Sequence, residues 1–319
     1  SLMRVYGDLP ICGEVAISKY NCMSEDEEPA EKLVAFIDNA LSRWSTWAPI
    51  EQLRNERKEL TAPMSTAEVE RNRVTSKDKD NTVQMEVRNV PSLTLNIIRT
   101  SLKGNTQYNV EDKNDLKAIK ASLIPSSKQV IQRTYKDYKD YEILKDSFNL
   151  PALPVGVYLL EYVPSDSRLA RDYSLYYVSD LFVMTEEQPD KRNRYVVVDA
   201  NEGQPVPGAT IRIEYRKDNW SSKPLTKILT TDSKGEAFIT DPDYSSDVYV
   251  YTSKDQAFPA MDLKSNYDYY EADKNGEVAN LYTDRSLYRP GQTIHASAIV
   301  YLMTQKGFEM KAEAGVSFD

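Results

Sequence analysis

Few residues in this chain are able to do chemistry, and they are poorly placed for it. His295 is the only histidine, which removes most catalytic triads and most imidazole-based metal sites together. It alternates with Ile294 and Ala296 in a strand-like run, so its ring reads as structural or solvent-facing. Asp241, Asp243 and Asp247 offer oxygen ligands of the kind Ca²⁺ takes. Their spacing lacks the Gly and the distal Glu of a helix-loop-helix calcium loop, so they read as loop acids that cap turns. Asp273, Asn275 and Gly276 read the same way. Asp284 and Arg285 form a charged pair whose default is a structural salt bridge, contributing about 0–1 kcal/mol if exposed. Asn219-Trp220-Ser221 is a glycosylation sequon, meaningful only in a eukaryotic secretory host. The nearest approach to a reactive motif is Cys12-Gly13-Glu14-Val15, a thiol next to a carboxylate. No Gly-rich phosphate loop, nucleophile elbow or paired-carboxylate cleft accompanies any of these. The residues therefore predict no enzyme, no catalytic side chains, no metal and no cofactor.

Composition narrows the partners. The chain has 319 residues, of which 40% are hydrophobic and 28% charged, an ordinary soluble balance with room for two or three domains. A net charge of −9 argues against nucleic acid, because phosphate binding needs clustered Lys and Arg. No apolar run approaches the ~20 residues of a membrane span. Nothing at the N-terminus resembles a secretory signal, and residue 1 reads as a fragment start. Tyrosine is abundant, 22 against 7 Phe and 3 Trp, which suits sheets that pack their rings while the hydroxyls stay wet. The two cysteines, Cys12 and Cys22, sit far apart around a helix at about 100° per residue, so two buried thiols are expected rather than a disulfide.

The elements that must position these residues change period along the chain. Residues 1–62 read as helices. Asp8 is placed to cap the first, Pro10 lies in its first turn, and Ile11, Val15, Ala16 and Tyr20 carry its apolar face to about Met23. Ser24-Glu25-Asp26-Glu27 resembles a capping box for a second helix. There Leu33, Val34, Phe36, Ile37, Ala40, Leu41 and Trp44 follow helical spacing. Pro49 opens a third helix that stops at Pro63. The predicted arrangement is an antiparallel αα-repeat continuing upstream. Residues 64–81 are charged and read as a linker or first edge strand. Alternation of period two then begins at Val83, Met85 and Val87 and resumes at Leu93, Leu95 and Ile97. Val130–Tyr135, Leu153–Val163 and Tyr173–Glu187 supply further strands. Val157 and Leu159 are expected to share a core with Val83, Met85 and Val87. Residues 63–187 thus predict one β-sandwich. Residues 188–258 predict a second, built from Tyr195–Ala200, Thr210–Tyr215, a turn in Thr231–Ala237 with Gly235 at the φ > 0 position, and Val248–Tyr251. Residues 259–319 read as a Tyr- and Asp-rich connector and the start of a third domain that stops short, so the natural protein is expected to be longer.

One stretch is more specific. Tyr282-Thr283-Asp284-Arg285-Ser286-Leu287-Tyr288-Arg289-Pro290-Gly291-Gln292-Thr293-Ile294 reads as strand, tight turn, strand, with Pro290-Gly291 as the turn. The string resembles the opening of the second macroglobulin-like domain of alpha-2-macroglobulins, the bacterial branch most closely. Leu150–Val163 is similar to the L-P-x-G-x-Y strand late in such domains. Gly203-Gln204-Pro205-Val206-Pro207-Gly208-Ala209 with Thr231–Ala237 resembles small extracellular Ig-like and carboxypeptidase-regulatory-like modules, and is similar to stretches in bacterial macroglobulins. The resemblance implies a fold that is mainly β with an α-helical N-terminal segment and tandem Ig-like or macroglobulin-like sandwiches. It implies a scaffold fragment of an extracytoplasmic, periplasmic or cell-surface inhibitor that traps target proteases and touches neighbouring domains of its own chain. The family's trapping thioester needs Cys-x-Glu-Gln. Here Val15 stands where the Gln carboxamide is required, so Cys12 cannot form one. Two rivals remain: an Ig-like array binding glycan or protein at the cell surface, and the accessory region of a peptidase.

Overall fold

The computed structural model describes the chain except for residues 1–6, 8, 69–73, 78, 189–191, 217–222, 241–243, 264–275, 284–295, 304–310 and 313–319. The fold is mainly β with a helical N-terminal segment. Two compact units are formed, one from Ser1–Asp180 with Ser253–Pro259, the other from Leu181–Thr252 with Ala260–Asp319.

The first unit opens with α1 (Ile11–Glu25), α2 (Ala30–Trp44) and a 3-10 turn at Ala48–Ile50 that runs into α3 (Glu51–Leu60). Cys12, Ala16, Tyr20, Leu33, Ile37, Ala40, Trp44, Ile50 and Leu53 form their common core. The buried face of α1 is therefore centred on Cys12, Ala16 and Tyr20. Ile11 and Val15, expected to share it, are exposed. Gly13 explains the rotation: a Cβ there would lie 2.4 Å from the Trp47 ring, so this side of α1 is pressed against an aromatic. Cys12 is buried but Cys22 is exposed, and no disulfide joins them. Asp8 lies outside the described residues.

Ser24–Glu27 is not a capping box. It is the end of α1, where Glu27 adopts φ 53°. Glu28 N–H donates to Met23 O and Glu27 N–H to Ser24 O, the bonding of a Schellman stop. The acids there close a helix rather than open one, and α2 begins after Pro29. At the end of α3, Arg88 donates to the carbonyls of Ala62 and Glu59, and Asn89 to that of Thr61.

The sandwich of this unit has two sheets. One is β1 (Met64–Glu68), β3 (Asn81–Arg88) and β6 (Leu144–Leu150), in the order β1-β3-β6. The other contains β2 (Val74–Thr75), β4 (Ser92–Arg99), β5 (Gln129–Thr134), β7 (Gly156–Pro164) and β8 (Asp172–Val178), ordered β2-β8-β7-β4-β5. Residues 64–81 thus hold edge strands at both ends. The core joins Val83, Met85 and Val87 to Phe148, Leu93, Leu95, Tyr158, Leu160 and Tyr162. The face expected for β7 is reversed: Val157 packs instead with Tyr177 and Ala257, and Leu159 pairs across to Ile98. Both faces of β7 are apolar and buried, so alternation alone does not choose between them. A helix not expected from the sequence, α4 (Lys113–Ala121), is capped by the Asp112 carboxylate, which accepts from Asn114 N–H and Asp115 N–H.

The second unit holds β9 (Leu181–Glu187), β10 (Arg192–Asp199) and β13 (Glu236–Thr240) in one sheet, ordered β13-β10-β9. A second sheet orders β12 (Leu225–Thr230), β11 (Thr210–Arg216) and β14 (Tyr244–Tyr251) as β12-β11-β14. Tyr173–Glu187, read as one strand, is two, β8 and β9, with the break at Ser179-Asp180. The Asp180 N–H is bound by the Asp255 carboxylate instead of a neighbouring strand. The turn expected in Thr231–Ala237 is tighter, at Asp232–Gly235, since Glu236 and Ala237 already belong to β13; Gly235 has the expected positive φ, 74°, and the Asp232 carboxylate accepts from Lys234 N–H and Glu236 N–H. A Cβ at Gly235 would also lie 2.5 Å from Val197 O. Thr231, almost fully buried, knots this region. Its hydroxyl accepts from Ala209 N–H at 2.8 Å and donates to Val206 O at 2.7 Å. A third sheet holds β15 (Gly276–Thr283), β16 (Ala296–Met303) and β17 (Lys311–Ala312).

Candidate functional site

The Cys12 motif is dismantled by helix geometry. Cys12 and Gly13 face the helical core, while Glu14 and Val15 lie on the exposed side of α1. Thiol and carboxylate therefore point into different surroundings.

The acidic candidates disperse similarly. Asp241 and Asp243 lie outside the described residues, as do His295, Asp273, Asn275, the Asp284–Arg285 pair and the Asn219 sequon. Gly276 is the first residue of β15. Asp247 is described: it stands opposite Glu214 in the β11–β14 register. Burial pushes its carboxyl up, and the neighbouring Glu214 and Asp262 charges add to that. Arg212 binds Glu214 across from it. Among the described residues no group of three or more His, Cys, Asp and Glu is arranged to hold a metal.

The most organised polar cluster is one that sequence reasoning missed. Asp255, 5% exposed, accepts from Ser179 Oγ at 2.9 Å and Asp180 N–H at 2.8 Å through one oxygen. Its other oxygen accepts from Ala257 N–H at 3.1 Å. Burial pushes this carboxyl up, and the hydrogen bonds from Ala257, Asp180 and Ser179 pull it back down. A serine beside a carboxylate has the outline of a nucleophile and base, yet the parts fail. Ser179 is fully buried, so no substrate reaches its hydroxyl. The cluster is a structural knot. No local signal betrays it, because the partners lie far apart in sequence.

The Tyr282–Ile294 stretch is framed by described strands. β15 and β16 pair antiparallel from Gly276↔Met303 to Thr283↔Ala296, so strand leads to strand around it. The expected turn at Pro290-Gly291 falls outside the described residues.

No protein-family model matches this chain, and no curated protein does. Among solved structures, native Escherichia coli alpha-2-macroglobulin spanning domains NIE-MG1 aligns at 14% identity and TM-score 0.42, covering 60% of this chain and 94% of that one. The longer E. coli fragment spanning MG0-NIE-MG1 aligns at 15% identity and TM-score 0.42, covering 63% of this chain and 64% of that chain. A Salmonella alpha-2-macroglobulin mutant aligns at 14% identity and TM-score 0.37, covering 75% of this chain but 14% of that chain. These values are too low to fix family or function. Among the described residues no helix is long and apolar enough to cross a membrane.

Proposed function

We propose that this chain is a scaffold piece of an alpha-2-macroglobulin-like extracytoplasmic protease inhibitor, and that it carries no catalytic activity of its own. The observation that carries the proposal is the Tyr282–Ile294 string, set between two strands that pair antiparallel. A helical segment followed by two-sheet β units is the architecture that string leads one to expect. In this reading the sandwiches are rigid spacers, while the bait and the reactive thioester belong to other parts of a longer polypeptide. Target proteases are met through that whole, and this chain meets neighbouring domains. The domain divisions at 62, 187 and 258 belong to the same proposal.

Two features of this chain support the absence of covalent capture in that reading. Val15 lacks the carboxamide a thioester needs, and the Ser179–Asp255 pair is sealed from substrate. Incubation of the purified chain with trypsin or elastase should leave residual activity on a large protein substrate unchanged and give no adduct stable to SDS. An adduct that survives denaturation and disappears in Cys12→Ala would overturn the scaffold reading.

A further inference from the structure

The end of helix α3 is finished by the sandwich. The last carbonyls of an α-helix lack partners inside it. Two here are met locally: Arg57 O accepts from Thr61 N–H at 3.0 Å, and Glu59 O from Ala62 N–H at 3.3 Å. The tip of the β3–β4 hairpin supplies further donors. Asn89 Nδ2 donates to Thr61 O at 2.8 Å, Arg88 Nε to Ala62 O at 2.8 Å, and Arg88 Nη2 to Glu59 O at 3.2 Å. The Arg88 cation also meets the negative end of the helix dipole. Asn89 holds φ 52°, a left-handed value that Asn tolerates better than most residues, so the hairpin's turn residue is also the helix's cap. Thr61 is 8% exposed and Val90, beside Asn89, 0%, although loop tips ordinarily stand in water. The β5–β6 loop ties in as well. Tyr138 Oη donates to Val90 O at 2.8 Å, and Arg57 bonds Asp38 of α2 at 2.6 Å and Asp140 of that loop at 3.2 Å. These ion pairs are partly exposed and add little stability; they fix position.

We propose that this joint makes the helical segment and the first sandwich one cooperative unit. Helix α3 holds only while the β3–β4 hairpin is formed, so the helices do not open or turn apart from the sheets. α3 has ten residues, below the ~12–15 at which an isolated helix is even marginal in water, so it depends on its packing and its cap. Its packing is the helical core around Ile37, Trp44, Ile50 and Leu53. Its cap belongs to the sandwich. Elements that share such bonds open as one foldon rather than two. The change of hydrophobic period near residue 62 therefore marks a change of local structure and not of stability. This inference rests on contacts inside the first unit and not on the proposed scaffold role.

Amide hydrogen exchange on the full chain tests it, read at the slowest amides of α2 and of β3. Ile97→Val trims the sandwich core and Ile37→Val the helical core; both side chains are fully buried. Each loss is mild and should speed exchange by on the order of two- to tenfold. One cooperative unit predicts that either substitution accelerates α2 and β3 by the same factor. Acceleration confined to the substituted segment would overturn the proposal. Arg88→Ala combined with Asn89→Gly, where glycine keeps the positive φ, deletes the cap. It should split the unit: α2 then exchanges faster than β3, and Ile97→Val no longer changes the α2 rates. A common factor that persists in this background would overturn the role given to the joint.

Discussion

Removing the Thr231 hydroxyl should cost the second unit more than removing its methyl group. In Thr231→Val the side chain keeps its branched shape, so packing is nearly preserved, but two polar groups lose their partner. Ala209 N–H no longer has its acceptor at 2.8 Å, and Val206 O loses its donor at 2.7 Å. Thr231 is 5% and Ala209 0% exposed, so water does not readily replace the hydroxyl. An orphaned buried donor or acceptor costs about 1–3 kcal/mol; two, with relaxation, give roughly 2–4 kcal/mol by the same rule. Thr231→Ser keeps both bonds and deletes one methyl, about 1 kcal/mol of burial. Urea unfolding of the full chain, followed by exchange protection in β10 and β11, reads the difference. With an m-value of about 1–3 kcal/mol/M, Thr231→Val should lower the midpoint by roughly 1 M or more, and Thr231→Ser by less than half as much. A valine variant as stable as the unaltered chain, or more stable than the serine variant, would refute the knot.

Phe148, fully buried between the sheets of the first sandwich, should cost about 3–5 kcal/mol as Phe148→Ala, measured by chemical denaturation. Gly104→Ala should destabilise the first unit by about 1–3 kcal/mol as an overpacking change, seen as a lowered thermal midpoint, since a Cβ there would lie 1.8 Å from Phe258 O. The Asp255 carboxyl is held above its ordinary range by burial, so its stabilising effect is complete below its unfolded value near pH 4. It declines as pH rises through the raised folded value. The stability of the unaltered chain relative to Asp255→Asn should therefore fall on going from pH 4 upward; a rise instead would contradict the burial argument.

Much of the fold is legible in the sequence wherever one face is polar. Val83, Met85 and Val87 alternate with polar residues and were readable as a half-buried strand. The Leu33–Trp44 spacing was readable as a helix. β7 was readable as a strand, but not in its facing: Val157, Tyr158, Leu159 and Leu160 are all buried, and a run apolar on both sides carries no facing signal. The Ser179-Asp180 break was hidden because its cause, Asp255, lies far along the chain. Helix α4 was hidden for a different reason. Its Asp112 cap is a recognisable start signal, but its short charged body buries Ile119 alone among its nine residues. Of the polar clusters the structure shows, the Asp255 knot has no local signature, because Ser179 and Asp180 lie far from it in sequence.

The central claim is that this chain is the scaffold of a protease trap. The most direct test uses the natural polypeptide that carries it. That polypeptide is incubated with trypsin, and residual activity is compared on a large protein substrate and on a small peptide substrate. A trap shields the large substrate while the small one still reaches the enclosed active site. The account predicts loss of activity on the large substrate, retention on the small one, and neither effect from residues 1–319 alone. Equal activity on both substrates at stoichiometric excess of the full polypeptide would contradict it.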